Sequence, residues 1–326
     1  MSALNRKNNL TCTNRKCVTV LGANGFLGMH LVAELVMAGY AVRAFDRTTK
    51  QNPLLPVKMP VSYITGDFFN KGDLTTALLG SECCFHLIST SLPKTSNDDP
   101  YTDVQSNVCG TLRMLDIAHD VGVKKIIFAS SGGTVYGTPQ YVPIDEAHPS
   151  EPLCSYGITK LAIEKYLALY QQLKGLDFVS LRIANPYGPL QNIDARQGVI
   201  GVFLGNLLRK EALHIWGDGS VIRDYLYVTD VARAFVLAME KQVEQSVINI
   251  GSGIGTTLNE MVEYLGKITC QNPSANYEPK RGFDVSQSVL DITRAKKELG
   301  WKPTVSFEEG LKNTWKWLLE NQKNCL

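Results

Sequence analysis

Residues 18–28 read VTVLGANGFLG, an apolar run followed by three regularly spaced glycines. A second run, AVRAFD, ends at Asp46, 24 positions after Gly22. The pattern is typical of a strand–turn–helix unit that binds a dinucleotide. Gly22 permits the tight turn, Gly25 lets the backbone approach a pyrophosphate, and Gly28 lets the helix pack closely on the strand. The stretch therefore predicts a Rossmann-type α/β fold.

The acidic end of the second run indicates which dinucleotide is bound. Asp46 stands where a carboxylate would accept hydrogen bonds from the adenosine ribose hydroxyls, which favours NAD over NADP. The helix that follows Gly25 offers free N–H groups and the positive end of its dipole to the phosphates. The sequence predicts NAD as the cofactor.

Composition excludes several classes of partner. The chain has 326 residues, 44% hydrophobic and 20% charged, with a formal net charge of +2. Such a balance is that of a globular protein without a nucleic-acid partner. No apolar run approaches the roughly 20 residues of a transmembrane helix. Residues 1–16 are polar and basic and predict a flexible tail rather than a signal peptide, so we expect a cytoplasmic protein.

The cysteines and histidines indicate no metal site. The chain has eight cysteines and five histidines. Cys12 and Cys17 lack a second pair to complete a zinc site, and no histidines are paired at ligand spacing. We interpret the cysteines as free thiols of a reducing compartment and expect no bound metal.

Strand-like and helical segments alternate over the first 185 residues, which predicts a doubly wound parallel sheet. The expected strands are 17–22, 41–45, 61–65, 83–88, 124–130 and 177–184. We also expect a short helix that begins at Asp73, a flexible loop over 92–100, a loop-rich stretch with one helix over 190–225, and a polar loop over 271–288. We expect an NAD-binding domain over 17–184 and about 226–252. A smaller α/β substrate domain would comprise 185–225 and 253–326.

A candidate catalytic pair opens a helical segment. Tyr156 and Lys160 lie four residues apart and so share one helix face. A neighbouring ammonium and a nicotinamide cation would both favour the phenolate, so we expect the pKa of Tyr156 to fall toward neutrality. Such a tyrosine can take a proton from a sugar hydroxyl.

With these motifs together, the chain resembles the extended short-chain dehydrogenase/reductase family, and within it the nucleotide-sugar 4-epimerases of the UDP-galactose epimerase type. The resemblance covers about residues 17–320. Beyond the motifs above, it rests on Gly66-Asp67, Asn107-x-x-Gly110-Thr111, Val135-Tyr136-Gly137, Arg182-x-x-Asn185-Pro186, Arg223-Asp224-Tyr225 and Arg281-x-x-Asp284.

The resemblance implies a set of residues around the cofactor. Asp67 and Phe68 would hold the adenine, Lys160 the nicotinamide ribose, and Asn107 would stabilise a long helix, residues 101–121, beside the site. The other implied cofactor contacts are Phe26, Leu27, Arg47, Leu87, Ile88, Ser89, Ser130 and Tyr156.

The resemblance also implies a grip on a nucleoside diphosphate. Two arginines facing a pyrophosphate are suited to charge-assisted bidentate recognition. Taken singly, Arg223 also fits an ion pair with Asp224. The implied substrate contacts are Ser131, Tyr156, Asn185, Val199, Trp216, Arg223, Arg281, Asp284 and Ser288.

One position departs from the family pattern. Gly132 stands where the family carries its catalytic serine or threonine. Ser131 or Thr134 could supply the hydroxyl, or Tyr156 could act alone. The sequence leaves these three alternatives open.

The leading hypothesis is an NAD-dependent 4-epimerase of a UDP-hexose. In it Tyr156 takes the 4-OH proton, hydride passes to NAD, the 4-keto sugar rotates, and hydride returns to the other face. The small Ser288 favours an N-acetylhexosamine, UDP-GlcNAc to UDP-GalNAc. The alternatives are a nucleotide-sugar reductase or decarboxylase, an epimerase of a lipid-linked sugar diphosphate, and a non-catalytic NAD-binding sensor.

A homodimer is also expected. The family dimerises through the helix that carries Tyr156 and the long helix before it. Leu161, Ile163, Leu167 and Tyr170 cannot all face the sheet, so part of this apolar set would meet a partner.

Overall fold

The structure is a computed structural model that describes residues 16–55, 59–93, 95–194, 198–279 and 285–321. The expected basic tail, Lys16 apart, lies outside these ranges. No helix within them is long and apolar enough to cross a membrane.

Seven parallel strands form the main sheet. They are β1 (Cys17–Leu21), β2 (Ala41–Asp46), β3 (Val61–Thr65), β4 (Cys83–His86), β5 (Lys125–Ser131), β6 (Asp177–Ile183) and β10 (Val247–Ile250). Their spatial order is β3-β2-β1-β4-β5-β6-β10, which is the doubly wound Rossmann order extended by one strand. The central strands read as nearly continuous apolar runs because helices cover both faces of the sheet.

Helices pack on the two faces through separate cores. One face carries α1 (Phe26–Met37), α7 (Val228–Glu240) and α9 (Thr293–Leu299). The other carries α2 (Lys71–Leu78), α4 (Gly110–Asp120) and α5 (Ser155–Lys174). Every third or fourth residue of these helices is apolar and buried, which is the period of a helix covering a sheet.

The expected long helix over 101–121 is present but not uniform. It begins as α3 (Pro100–Asp103), continues as a π-helical segment (Val104–Cys109), and ends as α4. Asp99 caps its start by accepting a hydrogen bond from the Thr102 N–H at 3.0 Å.

A second, smaller region lies over the carboxyl ends of the main strands. Its strands are β7 (Asn185–Tyr187), β8 (Leu213–Trp216), β9 (Ile222–Tyr227), β11 (Gly255–Thr257), β12 (Ala275–Glu278) and β13 (Gln287–Ser288). β9 pairs with β7, β11 and β13, and β8 pairs with β12. Its helices, α6 (Val199–Arg209), α8 (Leu258–Thr269) and α10 (Phe307–Glu320), share a third core.

Four expectations about segments need correction. The loop expected over 271–288 contains two short strands, and 190–225, expected to be loop-rich with one helix, also contains β8 and most of β9. The helix expected to begin at Asp73 begins at Lys71, because Asn70 accepts hydrogen bonds from two N–H groups of its first turn. The stretch 92–100, expected to be a flexible loop, is fastened to α5: Ser96 Oγ and Asn97 Oδ1 accept from the Tyr156 and Ser155 N–H groups.

The expected domain division is only partly reflected in the packing. The boundary at 226 falls inside β9, whose partners all belong to the smaller region. Ala295, Leu299 and Trp301, expected in the substrate domain, pack in the core of the main sheet. The chain therefore returns to the first region once more than we expected.

Candidate active site

The glycine turn after β1 has the geometry that a dinucleotide needs. Gly22 has φ +86°, a conformation that favours glycine, and a β-carbon there would lie 3.2 Å from the Ile88 nitrogen. A β-carbon on Gly28 would lie 2.2 Å from the Gly22 carbonyl oxygen, so α1 packs directly on the turn. Gly25 precedes α1, and no described side chain caps that helix. Its first N–H groups are thus available to a pyrophosphate.

Asp46 lies beside this turn at the end of β2. Its Oδ2 accepts the Asn24 N–H at 2.9 Å and its Oδ1 accepts the Arg47 N–H at 2.8 Å. These bonds hold the carboxylate against the turn, where a ribose hydroxyl can donate to it. The geometry fits NAD.

The expected adenine contacts differ from one another. Asp67 is exposed and its Oδ1 accepts the Phe69 N–H at 2.9 Å. The Phe68 ring is buried, stacked on His86 at 5.5 Å, and packed in the core beside Gly110. Because the Phe68 ring is part of the core, an adenine contact of Phe68 would have to use its backbone, and the expected contact stays a prediction.

A cavity of about 710 Å³ runs from α1 to the smaller region. This volume is that of a ligand site. The expected residues on its wall are Phe26, Leu27, Leu87, Ser89, Ser130, Ser131, Thr134, Tyr156, Lys160, Asn185, Val199, Trp216 and Arg223. Cofactor and substrate candidates from distant parts of the sequence thus meet in one space.

Two expected substrate residues, Arg281 and Asp284, lie outside the described residues. Ser288 is described, but it is buried in β13, paired with Arg223, and does not line the cavity. Its expected place beside the sugar is therefore not what the fold produces.

Sequence reasoning missed other wall residues. Among them are Gln191, Asn192, Phe203, His214 and Tyr225. Gln191 and Asn192 lie in a loop, Phe203 in α6 and His214 in β8, and no motif marks these four residues. The Arg-Asp-Tyr motif was the one available signal, and it ends at Tyr225.

Tyr156 and Lys160 lie on the first two turns of α5 and face the cavity together. The Lys160 ammonium donates to the Ala129 carbonyl at 2.8 Å and lies 5.4 Å from the centre of the Tyr156 ring. Burial lowers the pKa of Lys160 to about 8, against the opposing effect of Asp103 and Glu164. The pair can hold and move one proton at the cavity wall.

The expected fall in the pKa of Tyr156 is not produced by the protein's own groups. Burial raises the pKa of the Tyr156 phenol, and Cys154 and Asp103 raise it further. The sequence showed the ammonium but not the burial or the nearby carboxylate. Within the described protein, these groups favour the protonated phenol over the phenolate.

Three hydroxyls lie near Gly132. Ser130 Oγ donates to Glu164 Oε1 at 2.5 Å in the interior. Ser131 ends β5, half-buried on the cavity wall. Thr134 Oγ1 is buried and has no hydrogen-bond partner among the described residues. Of the three, the Thr134 hydroxyl has the most obvious capacity to bind a ligand atom.

Asn107 connects the π-helical segment to the loop after β4. Its Nδ2 donates to Asp103 Oδ1 at 2.7 Å, and its Oδ1 accepts the Thr90 N–H at 3.0 Å. The side chain is buried off the cavity wall. Asn107 thus fixes the helix beside the site, as its expected role requires.

The far end of the cavity carries the candidates for a diphosphate. Asn185 Nδ2 donates to the Asp224 carbonyl at 2.9 Å, which joins β7 to β9. The Asp224 carboxylate accepts from Ser252 and Gly253 rather than forming the alternative ion pair with Arg223. Arg223 lines the cavity and donates to the Ile222 carbonyl at 2.9 Å.

Comparison with known proteins gives independent evidence about the family of this chain. The chain matches the model of the NAD dependent epimerase/dehydratase family over residues 18–251. It is 34% identical over 307 residues to a putative UDP-glucose 4-epimerase of Methanocaldococcus jannaschii, with 94% of this chain and 99% of that protein covered.

Two solved structures are similar over nearly the whole chain. One is a UDP-glucose 4-epimerase of Thermotoga maritima with UDP-glucose, at a TM-score of 0.88 and 38% identity, covering 94% of this chain and 99% of that one. The other is a UDP-N-acetylglucosamine 4-epimerase of Methanobrevibacter ruminantium M1 in complex with UDP-N-acetylmuramic acid. Its TM-score is 0.87 at 30% identity, covering 95% of this chain and 100% of that one.

Proposed function

The chain belongs to the NAD dependent epimerase/dehydratase family, and we propose that it interconverts UDP-N-acetylglucosamine and UDP-N-acetylgalactosamine by epimerisation at C4. Its cofactor is NAD. The observation that carries the proposal is the shared cavity, whose wall includes Tyr156 and Lys160 together with the start of α1 and with Arg223. A sugar held between the start of α1 and Arg223 exposes its hydroxyls to the Tyr156 phenol.

Each end of the cavity has a binding task. The first N–H groups of α1, which follow Gly25, and the Asp46 carboxylate hold the dinucleotide. Arg223 and Asn185 hold the nucleoside diphosphate of the substrate at the opposite end. Phe203 and Trp216 offer apolar surface to its base. When the cofactor and the diphosphate are held at these two ends, the sugar lies against the part of the wall that carries Tyr156 and Lys160.

Bound NAD supplies the two-electron acceptor for C4. Burial raises the pKa of the Tyr156 phenol in the chain alone, but the positive nicotinamide of bound NAD would favour the phenolate. The Tyr156 phenolate would then remove the proton of the 4-hydroxyl and return it to the epimeric product. The Lys160 ammonium, 5.4 Å from the centre of the Tyr156 ring, stabilises the developing phenolate. The smaller region covers the carboxyl ends of the strands and excludes water. It also retains the 4-keto sugar while the sugar rotates to present its other face.

The N-acetylated sugar is supported by the activity named for the Methanobrevibacter relative. The Thermotoga and Methanocaldococcus relatives are named for UDP-glucose. The cavity wall near Tyr156 includes the small residues Ser131 and Gly133, which leave space beside the sugar. The choice of sugar is therefore the part of the proposal that an assay must decide.

The test is an incubation of purified protein with UDP-GlcNAc and, separately, with UDP-glucose, without added cofactor. Chromatography resolves the epimers. We expect UDP-GalNAc from UDP-GlcNAc, and no product from Tyr156→Phe that still carries NAD. Product from UDP-glucose alone would overturn the sugar but keep the chemistry. No epimer from either, with NAD supplied, would overturn the proposal and favour a reductase or a lipid-linked substrate.

A homodimer through α5 is also proposed, on a corrected basis. Ile163 and Leu167 are buried in this chain's own core, and Leu161 and Tyr170 pack against it, so these four do not form the partner surface. The exposed apolar residues of α5 instead follow one stripe. They are Ile158, Tyr166, Leu169 and Leu173. Such a stripe favours a partner helix. The cytoplasmic location stays a prediction.

A further inference from the structure

Asp103 is a buried carboxylate without a cation. It is 2% exposed and forms no ion pair within the described part of the chain. Its Oδ1 accepts from Ser91 Oγ at 2.5 Å and Asn107 Nδ2 at 2.7 Å, and its Oδ2 accepts from Ser155 Oγ at 2.5 Å. Buried charges are costly unless paired, so three short hydrogen bonds take the place of a counterion.

The three donors belong to three different elements. Ser91 lies in the loop after β4, Asn107 in the π-helical segment, and Ser155 at the start of α5. Ser155 immediately precedes Tyr156. Asp103 thus ties the first turn of the helix that carries Tyr156 to the loop after β4 and to the π-helical segment.

The charges around the pair single out Asp103. On α5, Tyr156 faces Cys154 and Lys160, and Lys160 faces Glu164. From β4, His86 faces Lys160, but burial and that ammonium lower the pKa of His86 to about 3, so His86 is neutral.

The carboxylate of Glu164 has an ion-pair partner, whereas that of Asp103 has none among the described residues. The Arg182 guanidinium lies 2.7 Å from the Glu164 carboxylate. Asp103 acts on both members of the pair, because it favours the Lys160 ammonium and opposes the Tyr156 phenolate. Among the charged groups described near the pair, Asp103 is the anion that hydrogen bonds hold in place and that has no ion-pair partner.

We propose that Asp103 is a positioning residue, which anchors the first turn of α5 through Ser155 and holds a negative charge beside Tyr156 and Lys160. The role rests on the proposed function, because it concerns how that pair handles the substrate proton. Asp103 does not line the cavity, so it acts on the substrate only through α5.

The decisive variant is Asp103→Asn, which removes the charge and keeps the shape. Loss of the anion lowers the pKa of Tyr156 and of Lys160 together. The pH profile of kcat in the NAD-loaded enzyme should therefore move to lower pH by roughly half a unit to one unit. Ser155→Ala keeps the charge and removes the tether. We expect a fall in kcat of roughly tenfold to a hundredfold, with KM within twofold and the pH profile unmoved.

A second readout does not need turnover. The holoenzyme is labelled at the Cζ carbon of tyrosine with ¹³C, and the Tyr156 signal is assigned by its loss in Tyr156→Phe. Its titration should move to lower pH in Asp103→Asn. Asp230→Asn is the matched control, because Asp230 is also a buried carboxylate, held by Thr304, Val305 and Arg233. It should leave the Tyr156 titration unmoved.

The outcomes separate the two proposals. If the wild type has no epimerase activity but Asp103→Asn shifts the Tyr156 titration, the proposed function is overturned and the role of Asp103 is supported. Superimposed Tyr156 titrations for wild type and Asp103→Asn would overturn the role of Asp103, whatever the activity. Should Asp103→Asn not fold, Ser155→Ala decides: unchanged kcat and unchanged amide exchange over residues 155–159 would overturn it.

Discussion

Leu290 occupies the space that a side chain at Gly132 would need. A β-carbon on Gly132 would lie 2.5 Å from Leu290 Cδ1 and 3.0 Å from the Arg182 carbonyl oxygen. Leu290 is itself fixed in a small core with Val135 and Ile144. The residue type at position 132, where the resemblance implies a hydroxyl, is thus coupled to a leucine that is distant in sequence.

The first prediction is that Gly132→Ser destabilises the protein by about 1–3 kcal/mol, because the site is already full. The same substitution should cost less in a Leu290→Ala background, where its space is vacant. Urea unfolding of the four proteins of the cycle measures the coupling. Equal costs in both backgrounds would show that Leu290 is not the obstacle.

The second prediction concerns the hydroxyl that replaces the missing one. Thr134 Oγ1 is buried, unpartnered within the described chain, and on the same wall as Tyr156. We expect Thr134→Val to lower kcat about a hundredfold, and Thr134→Ser, which keeps a hydroxyl, to retain most of the wild-type kcat. Ser131→Ala is the matched control and should change kcat far less. A larger loss in Ser131→Ala would assign the role to Ser131 instead.

The third prediction is a pH dependence of stability. Burial holds the pKa of Lys160 at about 8 in the folded chain, against 10.5 for the ordinary side chain. Between these values the unfolded chain binds the proton more tightly, so unfolding becomes harder as pH rises from 8 toward 10.5. Below pH 8 both states are protonated and the contribution is flat.

The variant that isolates this effect is Lys160→Met. Over that pH window, the free energy of unfolding of the wild type should rise relative to that of the variant by an amount on the order of 3 kcal/mol. Urea unfolding at intervals between pH 7 and pH 11 gives both curves. Parallel curves would mean that Lys160 titrates normally in the folded protein.

The fourth prediction concerns the ion pair beneath Ser130. Glu164→Gln leaves the buried Arg182 guanidinium without its anion and should cost about 3–5 kcal/mol. The exposed pair Lys316–Glu320, at 3.9 Å, is the control, and Lys316→Gln should cost less than about 1 kcal/mol. Chemical denaturation compares the two. Similar small losses would indicate that Arg182 finds other acceptors.

The fifth prediction tests the apolar stripe of α5. Leu169→Glu should weaken the proposed dimer at least roughly tenfold, because a charge would be buried between the helices. Leu319→Glu on α10 is matched in exposure, 46% against 42%, and should leave the assembly unchanged. Sedimentation equilibrium measures both. A monomeric wild type at high concentration would reject the dimer itself.

Much of the main sheet could be predicted from the sequence. Its buried parallel strands are apolar runs whose bounds agree with the structure to within a residue or two. The strands of the smaller region were harder. β7, β11 and β13 have only two or three residues each, too few to show a period, and they exist because β9 brings them together.

The site was predictable where local spacing decides its geometry. The glycine turn and the Tyr156–Lys160 pair depend on residues that are close in sequence. The burial of the Phe68 ring, the raised pKa of Tyr156 and the approach of Leu290 to Gly132 depend on distant residues. Sequence spacing carries no signal for these, since each follows from packing.

The π-helical segment that carries Asn107 has a consequence for insertions and deletions. A π turn holds one more residue than an α turn, so removing one residue between 104 and 109 would restore a regular helix. Because the π turn absorbs the extra residue, the residues on either side would keep the faces that they present now, with Asp103 toward Ser155 and α4 toward the core. A residue inserted into α4 has no such turn to absorb it, and it would rotate everything before it by about 100°. The π-helical segment is thus a place where this helix can change its length by one residue without changing which side chains meet α5.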